Sequence, residues 1–186
     1  MLWLMTSLAL ALESGEKAPD FELKSLSGET VKLSDLKGKL VVLEWFNPGC
    51  PFVKYSHGEK VMSKTIAQTV SEDTVWLAIN SGAPGKQGAA PSANEKASSK
   101  WNLQHPVLLD PTGAVGTLYS AKTTPHMFII DKEGKLAYQG AHDNAPRGRV
   151  KGEYVDYVKQ AISELKAGQK VSTVETKPYG CSVKYK

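Results

Sequence analysis

The sequence predicts an α/β sandwich built on a central mixed β-sheet, with an N-terminal β-hairpin extension. The segment Lys39–Trp45 is nearly continuous in apolar residues, which is typical of a central strand covered on both faces. Apolar residues at helical spacing follow from Pro51 to Val70. Strands and helices then alternate up to a terminal hairpin and helix, and this element order indicates a layered α/β fold.

The segments before the central strand predict the hairpin. Two short strands, Phe21–Lys24 and Thr30–Leu33, flank the turn Ser27–Gly28. Residues Ser34–Gly38 have the composition of one helical turn closed by a glycine. In the long helix that follows the central strand, Gly58 interrupts the pattern and predicts a kink.

The rest of the chain continues the alternation. The predicted strands are Thr74–Ile79, Pro106–Leu109, Met127–Ile130 and Leu136–Gly140. The predicted helices are Pro91–Trp101, Thr112–Tyr119 and Val150–Lys166. The tail Gln169–Lys186 shows no helical period. With 186 residues, the chain is expected to form one domain over residues 14–186.

Charge argues against a nucleic-acid partner. The net charge of +4 is carried mostly by dispersed lysines, and Arg147 and Arg149 are the only arginines. There is no basic block with interleaved aromatic residues, which nucleic-acid binding usually requires.

The first residues predict a secretory leader. Met1–Leu12 is uncharged, rich in leucine and alanine, and too short to span a bilayer. Ala9-Leu10-Ala11 fits the small-x-small rule for cleavage after Ala11, so residues 1–11 are expected to be a signal peptide. The mature chain would then be periplasmic or secreted, where disulfides persist. The alternative is a buried N-terminal strand or helix in a cytoplasmic protein.

Cys50 is the residue most indicative of chemistry. It stands between the central strand and the helix that begins at Pro51, whose missing N–H costs nothing at a first helical turn. Unpaired N–H groups and the positive end of the helix dipole favour a thiolate there. A thiolate attacks disulfides and peroxides. The alternative is a small buried hydrophobic residue.

Three segments together resemble the thioredoxin-like redoxins of the peroxiredoxin (alkyl hydroperoxide reductase/thiol-specific antioxidant) superfamily, and more closely its peroxiredoxin-like branch. They are Ala18–Phe21 at the start, Asn47–Val53 around Cys50, and Thr124–Asp131 before the last hairpin. The tail Gly180–Lys184 is also similar to that branch. The resemblance implies a thioredoxin-like three-layer sandwich, a cis proline at Pro125 beside the nucleophile, and backbone groups of Thr124 that contact a bound thiol or peptide.

Departures from related patterns limit the chemistry that the resemblance implies. Thioredoxins have a second cysteine where this chain has Val53, so a dithiol within the helix is excluded. Typical peroxiredoxins have a proline and a threonine or serine where Leu43 and Asn47 stand. A peroxide-activating arginine would have to be Arg147 or Arg149, so efficient peroxidase activity is in doubt.

Cys181 is the only other cysteine. It is a candidate resolving thiol for a sulfenic acid or mixed disulfide on Cys50. It is equally a candidate for a structural disulfide, which would stabilise the fold by about 2–4 kcal/mol. An inert cysteine is the third reading.

Several further side chains are candidates for supporting roles. Lys54, His57, His126 and Arg147 are candidates to face Cys50, with a solvated helix face, the sheet interior or a surface loop as the respective alternatives. Trp45 and Phe46 are expected to wall the site, and Asp143 lies in a loop that borders it or is merely surface. Asn47 and Pro51 flank the cysteine.

No cofactor is expected, and no paired Cys or His motif indicates a metal. The alternative is a copper site built from both cysteines and a histidine.

The expected function is a thiol-disulfide oxidoreductase or weak thiol peroxidase with antioxidant activity. Cys50 would attack a disulfide or peroxide, Cys181 would resolve the product, and a separate thiol reductant, a thioredoxin-like protein or a small thiol, would complete the cycle. The rival is a non-enzymatic binding module of the same fold, with Cys50–Cys181 as a structural disulfide or part of a metal site.

Overall fold

The apolar segment at the centre of the sequence is a strand whose six side chains are all buried, Leu40–Trp45. In the computed structural model, which describes residues 12–150 and 152–186, it is one of nine strands and five α-helices. The expected signal peptide lies outside the described residues. The strands are β1 (Glu22–Ser25), β2 (Thr30–Lys32), β3 (Leu40–Trp45), β4 (Thr74–Asn80), β5 (Val107–Leu109), β6 (Thr123–Thr124), β7 (Met127–Ile130), β8 (Leu136–Gly140) and β9 (Cys181–Ser182). The helices are α1 (Pro51–Gly58), α2 (Val61–Thr69), α3 (Pro91–Trp101), α4 (Ala114–Leu118) and α5 (Tyr157–Lys166).

Seven strands form one mixed sheet in the order β2-β1-β5-β4-β3-β7-β8. β3 pairs parallel with β4, and β4 pairs parallel with β5. The other neighbours are antiparallel, including the hairpin β1–β2, which extends the sheet through β1 and β5. The predicted mixed sheet with an N-terminal hairpin is therefore confirmed.

Side chains of β3 alternate between two separate cores. Val41, Leu43 and Trp45 pack with Val115 of α4 on one face. Leu40 and Val42 pack on the other face with residues of α2 and α5, among them Met62 and Ile162. Because successive strand residues point to opposite faces, an unbroken apolar run is what a strand covered by helices on both sides requires. The expected three-layer sandwich is confirmed.

Two helix predictions differ from the structure. The segment predicted as one kinked helix is two helices, because Lys60 adopts a left-handed conformation (φ 60°) after α1 ends at Gly58. The last helix begins at Tyr157 instead of Val150. Asp156 caps it by accepting a hydrogen bond from the Lys159 N–H at 2.9 Å, and residues 146–148 form a short 3-10 turn instead.

The tail forms an element that the sequence pattern does not predict. β9 pairs antiparallel with β6, so that Cys181 lies opposite Thr124. The Val183 N–H donates to the Lys122 carbonyl at 3.2 Å, and the Tyr185 hydroxyl donates to the Ala121 carbonyl at 2.9 Å. These contacts hold the end of the chain against β6 and the residues that lead into it.

Within residues 12–150 and 152–186, no helix combines the length and the apolar character that crossing a membrane requires.

Candidate active site

Cys50 is the residue immediately before the first turn of α1. Its backbone is extended (φ −75°, ψ 127°), Pro51 follows as the first helical residue, and the Cys50 carbonyl accepts a hydrogen bond from the Lys54 N–H at 2.9 Å. The Cys50 side chain is 1% exposed and contacts a small apolar cluster that includes Phe46 and Val53. The sulfur thus lies where the strand ends and the helix begins, as the sequence predicts.

Asn47 holds the turn that presents Cys50. Its side-chain oxygen accepts a hydrogen bond from the Gly49 N–H at 2.7 Å, and its amide donates to the Gln87 carbonyl at 3.0 Å. Its own carbonyl accepts from the Cys50 N–H at 3.0 Å. Gly88, at φ 73°, leaves the space that the Asn47 amide fills, because a Cβ there would collide with it. Asn47 therefore acts on the shape of the turn.

Thr124 and Pro125 lie against the sulfur of Cys50. The Thr124–Pro125 peptide bond is cis, and the Thr124 carbonyl is 3.0 Å from Cys50 Sγ, a distance at which it accepts a hydrogen bond from the thiol. The Thr124 hydroxyl is buried and has no hydrogen-bond partner in the dithiol form. A thiolate at Cys50 would supply the acceptor that this hydroxyl lacks.

Cys181 completes a pair of sulfurs. Its Sγ lies 2.8 Å from Cys50 Sγ, and both cysteines are free thiols. Residues 131 positions apart in the sequence meet because β9 places Cys181 opposite Thr124. A disulfide joins sulfurs at about 2.05 Å, so bond formation needs a movement of less than about 1 Å.

The pKa values of the two thiols are shifted in opposite directions. Burial raises the pKa of Cys50, but hydrogen bonds from the side chains of Cys181 and Thr124 and from the Val53 N–H outweigh burial and lower it below its usual value. Burial, together with the hydrogen bond to Cys50, raises the pKa of Cys181 to about 11. Cys50 is therefore the more acidic of the two thiols.

Tail residues and α1 cover the pair from outside. Cys181 is partly exposed and lies over Cys50. The Phe52 ring packs on the Tyr179 ring with centroids 5.9 Å apart, and the Arg147 guanidinium carbon lies 5.9 Å from the Phe52 centroid. Arg147 thus stacks on an aromatic ring beside the site. Within the described residues, Arg147 makes no hydrogen bond to either sulfur.

Two predicted neighbours of Cys50 point elsewhere. Trp45 lies in the opposite core, with its ring centroid 5.4 Å from that of Tyr119, because the last residue of β3 and Phe46 after it point to opposite faces. His126 is buried, and its Nδ1 accepts from the Lys122 N–H at 3.2 Å. Burial, followed by the charge of Lys122, lowers the pKa of His126 to about 3, so it is neutral at physiological pH. Trp45 therefore packs in the core on the other face of the sheet, whereas Phe46 lies in the cluster that contains Cys50.

Lys54 is exposed beside the active turn. It lines an open groove of about 630 Å³ together with Pro48, Gly49 and two lysines of α3, Lys96 and Lys100. The groove runs along the turn on the α3 side, whereas Cys181 approaches from the β6 side.

A buried contact between a glutamate and a histidine under the site was missed by the sequence reasoning. Glu44 of β3 is fully buried, and its Oε1 lies 2.9 Å from His57 Nε2 of α1. Burial raises the pKa of Glu44, but the charge of His57 and the hydrogen bond to it outweigh burial and lower it. The His57 ring stacks on Trp101, so this histidine faces neither the solvent nor the sulfur of Cys50. The available signal was a lone acidic residue within an apolar strand.

Asp143 connects the loop before α5 to the tail. It is buried, and its carboxylate accepts a hydrogen bond from the Tyr179 hydroxyl at 2.6 Å. His142 lies 3.3 Å from the same carboxylate and 3.6 Å from Asp156. Burial raises the pKa of Asp143, but the hydrogen bonds from His142 and Tyr179 outweigh burial and lower it. An ionised Asp143 thus anchors the tail two residues before Cys181.

No group of three or more His, Cys, Asp or Glu side chains within the described ranges is arranged to hold a metal ion. The chemistry that the described site supports is that of two thiols and the disulfide between them.

A helix-terminal cysteine, a cis proline and a facing second thiol on a mixed sheet define a thioredoxin-like redoxin. The chain belongs to the AhpC/TSA family, whose pattern matches residues 14–139, well over half of its length. The expected class, a peroxiredoxin-like, thiol-dependent oxidoreductase, is confirmed at this level.

The chain is also similar to two Bacillus subtilis proteins. The chain is 30% identical over 174 residues to Peroxiredoxin Bcp, an alignment that covers 84% of this chain and 97% of that protein. It is 28% identical over 126 residues to the thiol-disulfide oxidoreductase ResA, covering 68% of this chain and 66% of ResA.

Solved structures also share the fold over nearly the whole chain. An uncharacterized conserved protein from Geobacillus kaustophilus superimposes with a TM-score of 0.82 at 26% identity, covering 94% of this chain and 93% of that one. A hypothetical protein from Sinorhizobium meliloti gives a TM-score of 0.79 at 23% identity, covering 95% and 97% of the two chains. The second of these likenesses concerns the fold alone.

The pH dependence of alkylation tests the assigned acidities. In the reduced chain, the midpoint for iodoacetamide labelling of Cys50, followed by peptide mass spectrometry, should lie below that of an ordinary cysteine, and that of Cys181 should lie near 11. Thr124→Val should raise the Cys50 midpoint, because it removes a hydrogen bond to the thiolate.

Thr123→Val is the matched control, since the Thr123 hydroxyl donates to the Pro125 carbonyl at 2.8 Å and not to a sulfur. It should leave both midpoints unchanged. A Cys50 midpoint at or above that of a free cysteine would contradict the assignment.

Proposed function

We propose that this chain is a thiol-disulfide oxidoreductase in which Cys50 is the nucleophile and Cys181 is the resolving thiol. The observation that carries the proposal is the 2.8 Å approach of the two sulfurs at the start of α1. Their unequal acidities support these roles, because an attacking thiol must be ionised while a resolving thiol waits protonated.

In the first half of the cycle, two electrons pass from the two thiols to a substrate disulfide. The Cys50 thiolate attacks one sulfur of the substrate, forms a mixed disulfide and releases the other sulfur as a thiolate. Cys181 loses its proton to that leaving group and attacks the Cys50 sulfur. A Cys50–Cys181 disulfide forms, and the substrate leaves with two electrons as a dithiol. A separate thiol reductant, a thioredoxin-like protein or a small thiol, returns the pair to the reduced form.

Thr124, Pro125 and Asn47 are positioning residues in this proposal. Thr124 orients the thiol through its carbonyl and supports the thiolate through its hydroxyl. Asn47 holds the turn, and Pro51 starts α1 immediately after the nucleophile. We assign no catalytic step to Lys54, His126 or Arg147, because none of them is hydrogen-bonded to a sulfur within the described residues.

Peroxide is the second candidate oxidant, favoured by the similarity to Peroxiredoxin Bcp. Cys50 would attack the peroxide, become a sulfenic acid and release an alcohol or water. Cys181 would then attack the sulfenic sulfur, releasing water as the disulfide forms. The hydroxyl that typical peroxiredoxins place three residues before the cysteine is absent at Asn47, and Arg147 stacks on Phe52. We therefore expect slower turnover with peroxide than with disulfides.

Activity of two cysteine variants tests the proposal. Reduction of a protein disulfide, such as that of insulin, is measured with excess dithiol for the native chain, Cys50→Ser and Cys181→Ser. Cys50→Ser should lose at least about a hundredfold in rate, as expected when a nucleophile is removed. When the dithiol is removed before the substrate is added, reduced Cys181→Ser should accumulate a mixed disulfide on Cys50, visible by mass. Hydrogen peroxide consumption is measured in parallel, and equal rates for the native chain and Cys50→Ser with both oxidants would end the proposal.

We also propose export from the cytoplasm, on the basis of the uncharged segment Met1–Leu12 and the cleavage pattern Ala9–Ala11. N-terminal sequencing of the protein purified from a cell expressing this chain is the test. A first residue of Leu12 is expected, and a chain that retains Met1 would contradict it.

A further inference from the structure

A buried histidine lies between two carboxylates in the loop after β8. His142 is 1% exposed and stands two residues after the end of that strand. Its Nδ1 lies 3.3 Å from an oxygen of Asp143, and its Nε2 lies 3.6 Å from an oxygen of Asp156, the residue that caps α5. Nε2 also lies 2.9 Å from the hydroxyl oxygen of Thr65 in α2. The cluster therefore joins two helices to the loop, outside the thiol site.

The hydrogen bonds of Thr65 determine where His142 carries its protons. The Thr65 hydroxyl has one proton and donates it to the Asp156 carboxylate. Its oxygen can then only accept from His142, so Nε2 is a donor. Nδ1 is buried and lies opposite the Asp143 carboxylate in a contact that is not aligned as a strong hydrogen bond. A lone pair on Nδ1 would face a negative oxygen, so the arrangement favours a second proton there and hence an imidazolium.

The charges around His142 favour the same state. Burial lowers the pKa of His142, but the contact with Asp143 and the charge of Asp156 outweigh burial and raise it above its usual value. The other titratable side chains that act on the cluster or line the cavity beside it are Glu44, Tyr55, Lys64, Tyr154, Lys159, Glu164 and Tyr179. Both lysines are exposed, so the carboxylates are the charges that the buried ring senses most strongly.

An open cavity connects the cluster to solvent. Its volume is about 840 Å³, and Asp143, Asp156 and Thr65 lie in its wall together with other residues of α2 and α5. His142 can therefore gain or lose a proton through its carboxylate neighbours without unfolding of the chain.

Asp143 connects this histidine to the tail. One of its oxygens faces the ring, and the other accepts the hydrogen bond of the Tyr179 hydroxyl at 2.6 Å. Among the described residues, this is the only side-chain hydrogen bond made by residues 177–180. Tyr179 precedes Cys181 by two residues, and Cys181 Sγ lies 2.8 Å from Cys50 Sγ. A displacement of Asp143 therefore shifts the resolving thiol relative to the nucleophile.

We propose that His142 is a positioning residue for Cys181, and that the resolving thiol is held against Cys50 most firmly while His142 is an imidazolium. The proposal rests on the proposed function of the two cysteines and names its regulation by pH. When Nδ1 loses its proton, its lone pair and the Asp143 carboxylate repel each other across 3.3 Å. Asp143 then moves away from the ring, and its hydrogen bond with Tyr179 weakens.

The raised pKa of His142 sets the direction of the pH effect. A group whose pKa is raised in the docked state stabilises docking fully at pH values below its usual pKa of 6.5. That contribution is lost as the pH rises through the raised pKa. Asp143, whose pKa is lowered, acts in the opposite direction, because docking weakens when acid protonates its carboxylate. The tail is therefore held best in weak acid and loosens as the solution becomes alkaline.

Release of a coloured thiolate measures how readily the two sulfurs meet. The reduced chain is mixed with one equivalent of a small aromatic disulfide, bis(thionitrobenzoate). One cysteine attacks the reagent and releases one thionitrobenzoate. The other cysteine loses its proton to solvent and attacks the modified sulfur, so that the second thionitrobenzoate leaves and the Cys50–Cys181 disulfide forms. The rate of the second release, followed by absorbance, reports the approach of the two sulfurs whichever cysteine reacts first.

The native chain and His142→Gln are compared from about pH 5.5 to about pH 9, the range in which a histidine with a raised pKa titrates. The glutamine amide can reach Thr65 but places no proton opposite Asp143. In weak acid the second release should be about tenfold faster in the native chain, as expected for a contact between charged groups. The ratio of the two rates should fall towards one as the pH rises, while ionisation of the attacking thiol affects both proteins alike.

Tyr179→Phe and Tyr154→Phe are a matched pair of variants. Both hydroxyls donate to Asp143, at 2.6 Å and 3.3 Å, but only Tyr179 belongs to the tail. Tyr179→Phe should slow the second release about tenfold in weak acid, and adding His142→Gln to it should cost no more than about twofold further, because the two residues act through one contact. Tyr154→Phe should stay within about twofold of the native rate at every pH.

NMR titration of the reduced native chain tests the same link without a variant. The backbone amide signals of Tyr179 and Gly180 should shift with the midpoint of the His142 ring signals, because both report one proton. In His142→Gln this titration should be absent, while the amide signals of the seven-stranded sheet keep their native positions. A loss of stability alone would not give the tail and the ring a common midpoint.

The outcomes separate this proposal from the function on which it rests. A rate ratio that stays constant or grows with pH, or tail signals that do not follow the His142 ring, would overturn the positioning role and leave the two-cysteine cycle intact. No second release from any of the proteins at any pH would show that Cys50 and Cys181 do not form a disulfide, and would count against the proposed function itself.

Discussion

The antiparallel pairing of Cys181 with Thr124 is the interaction on which the site depends. Without it, the helix at Pro51 would present a lone thiol. With it, two cysteines 131 residues apart in the sequence share a hydrogen bond at 2.8 Å. One short strand therefore determines both the partner of Cys50 and the acidity of its thiol.

The effect of burial on the Cys50 thiol depends on which groups cover it. Cys50 is buried, and burial of an isolated thiol would raise its pKa and lower its reactivity. The groups that cover Cys50 include the second thiol. The hydrogen-bond donors around the Cys50 sulfur lower its pKa by more than the loss of solvent raises it. The same cover shields the nucleophile from large molecules. The tail therefore contributes both to the burial of Cys50 and to the hydrogen bonding of its sulfur, and it is anchored on the carboxylate of Asp143.

The architecture was largely predictable because strand and helix periods are strong in this chain. The apolar run of β3 indicated a strand with two covered faces, and the bounds of α3, β7 and β8 agree with the sequence pattern to the residue. The site was predictable at Cys50, because a cysteine between a strand and a proline-started helix is a local signal.

Other parts were not accessible from local patterns. β9 is two residues long, and its pairing with β6 depends on tertiary contacts that no periodicity reports. Trp45 was assigned to the site although strand alternation sends it to the opposite face from Phe46. The partner of Glu44 was hidden for a similar reason, since a histidine seven residues after Cys50 gives no sign that it turns inward.

The most direct measurement is the reduction potential of the Cys50–Cys181 pair, obtained by equilibrating the chain in thiol–disulfide buffers and counting free thiols by mass. A redox pair predicts that both thiols disappear together in one two-electron transition, at a potential less negative than about −300 mV. A transition far below about −300 mV would mark a structural disulfide, and independent loss of the two thiols would show that they are not a pair. Either result would contradict the assignment of Cys50 and Cys181 as a redox-active pair.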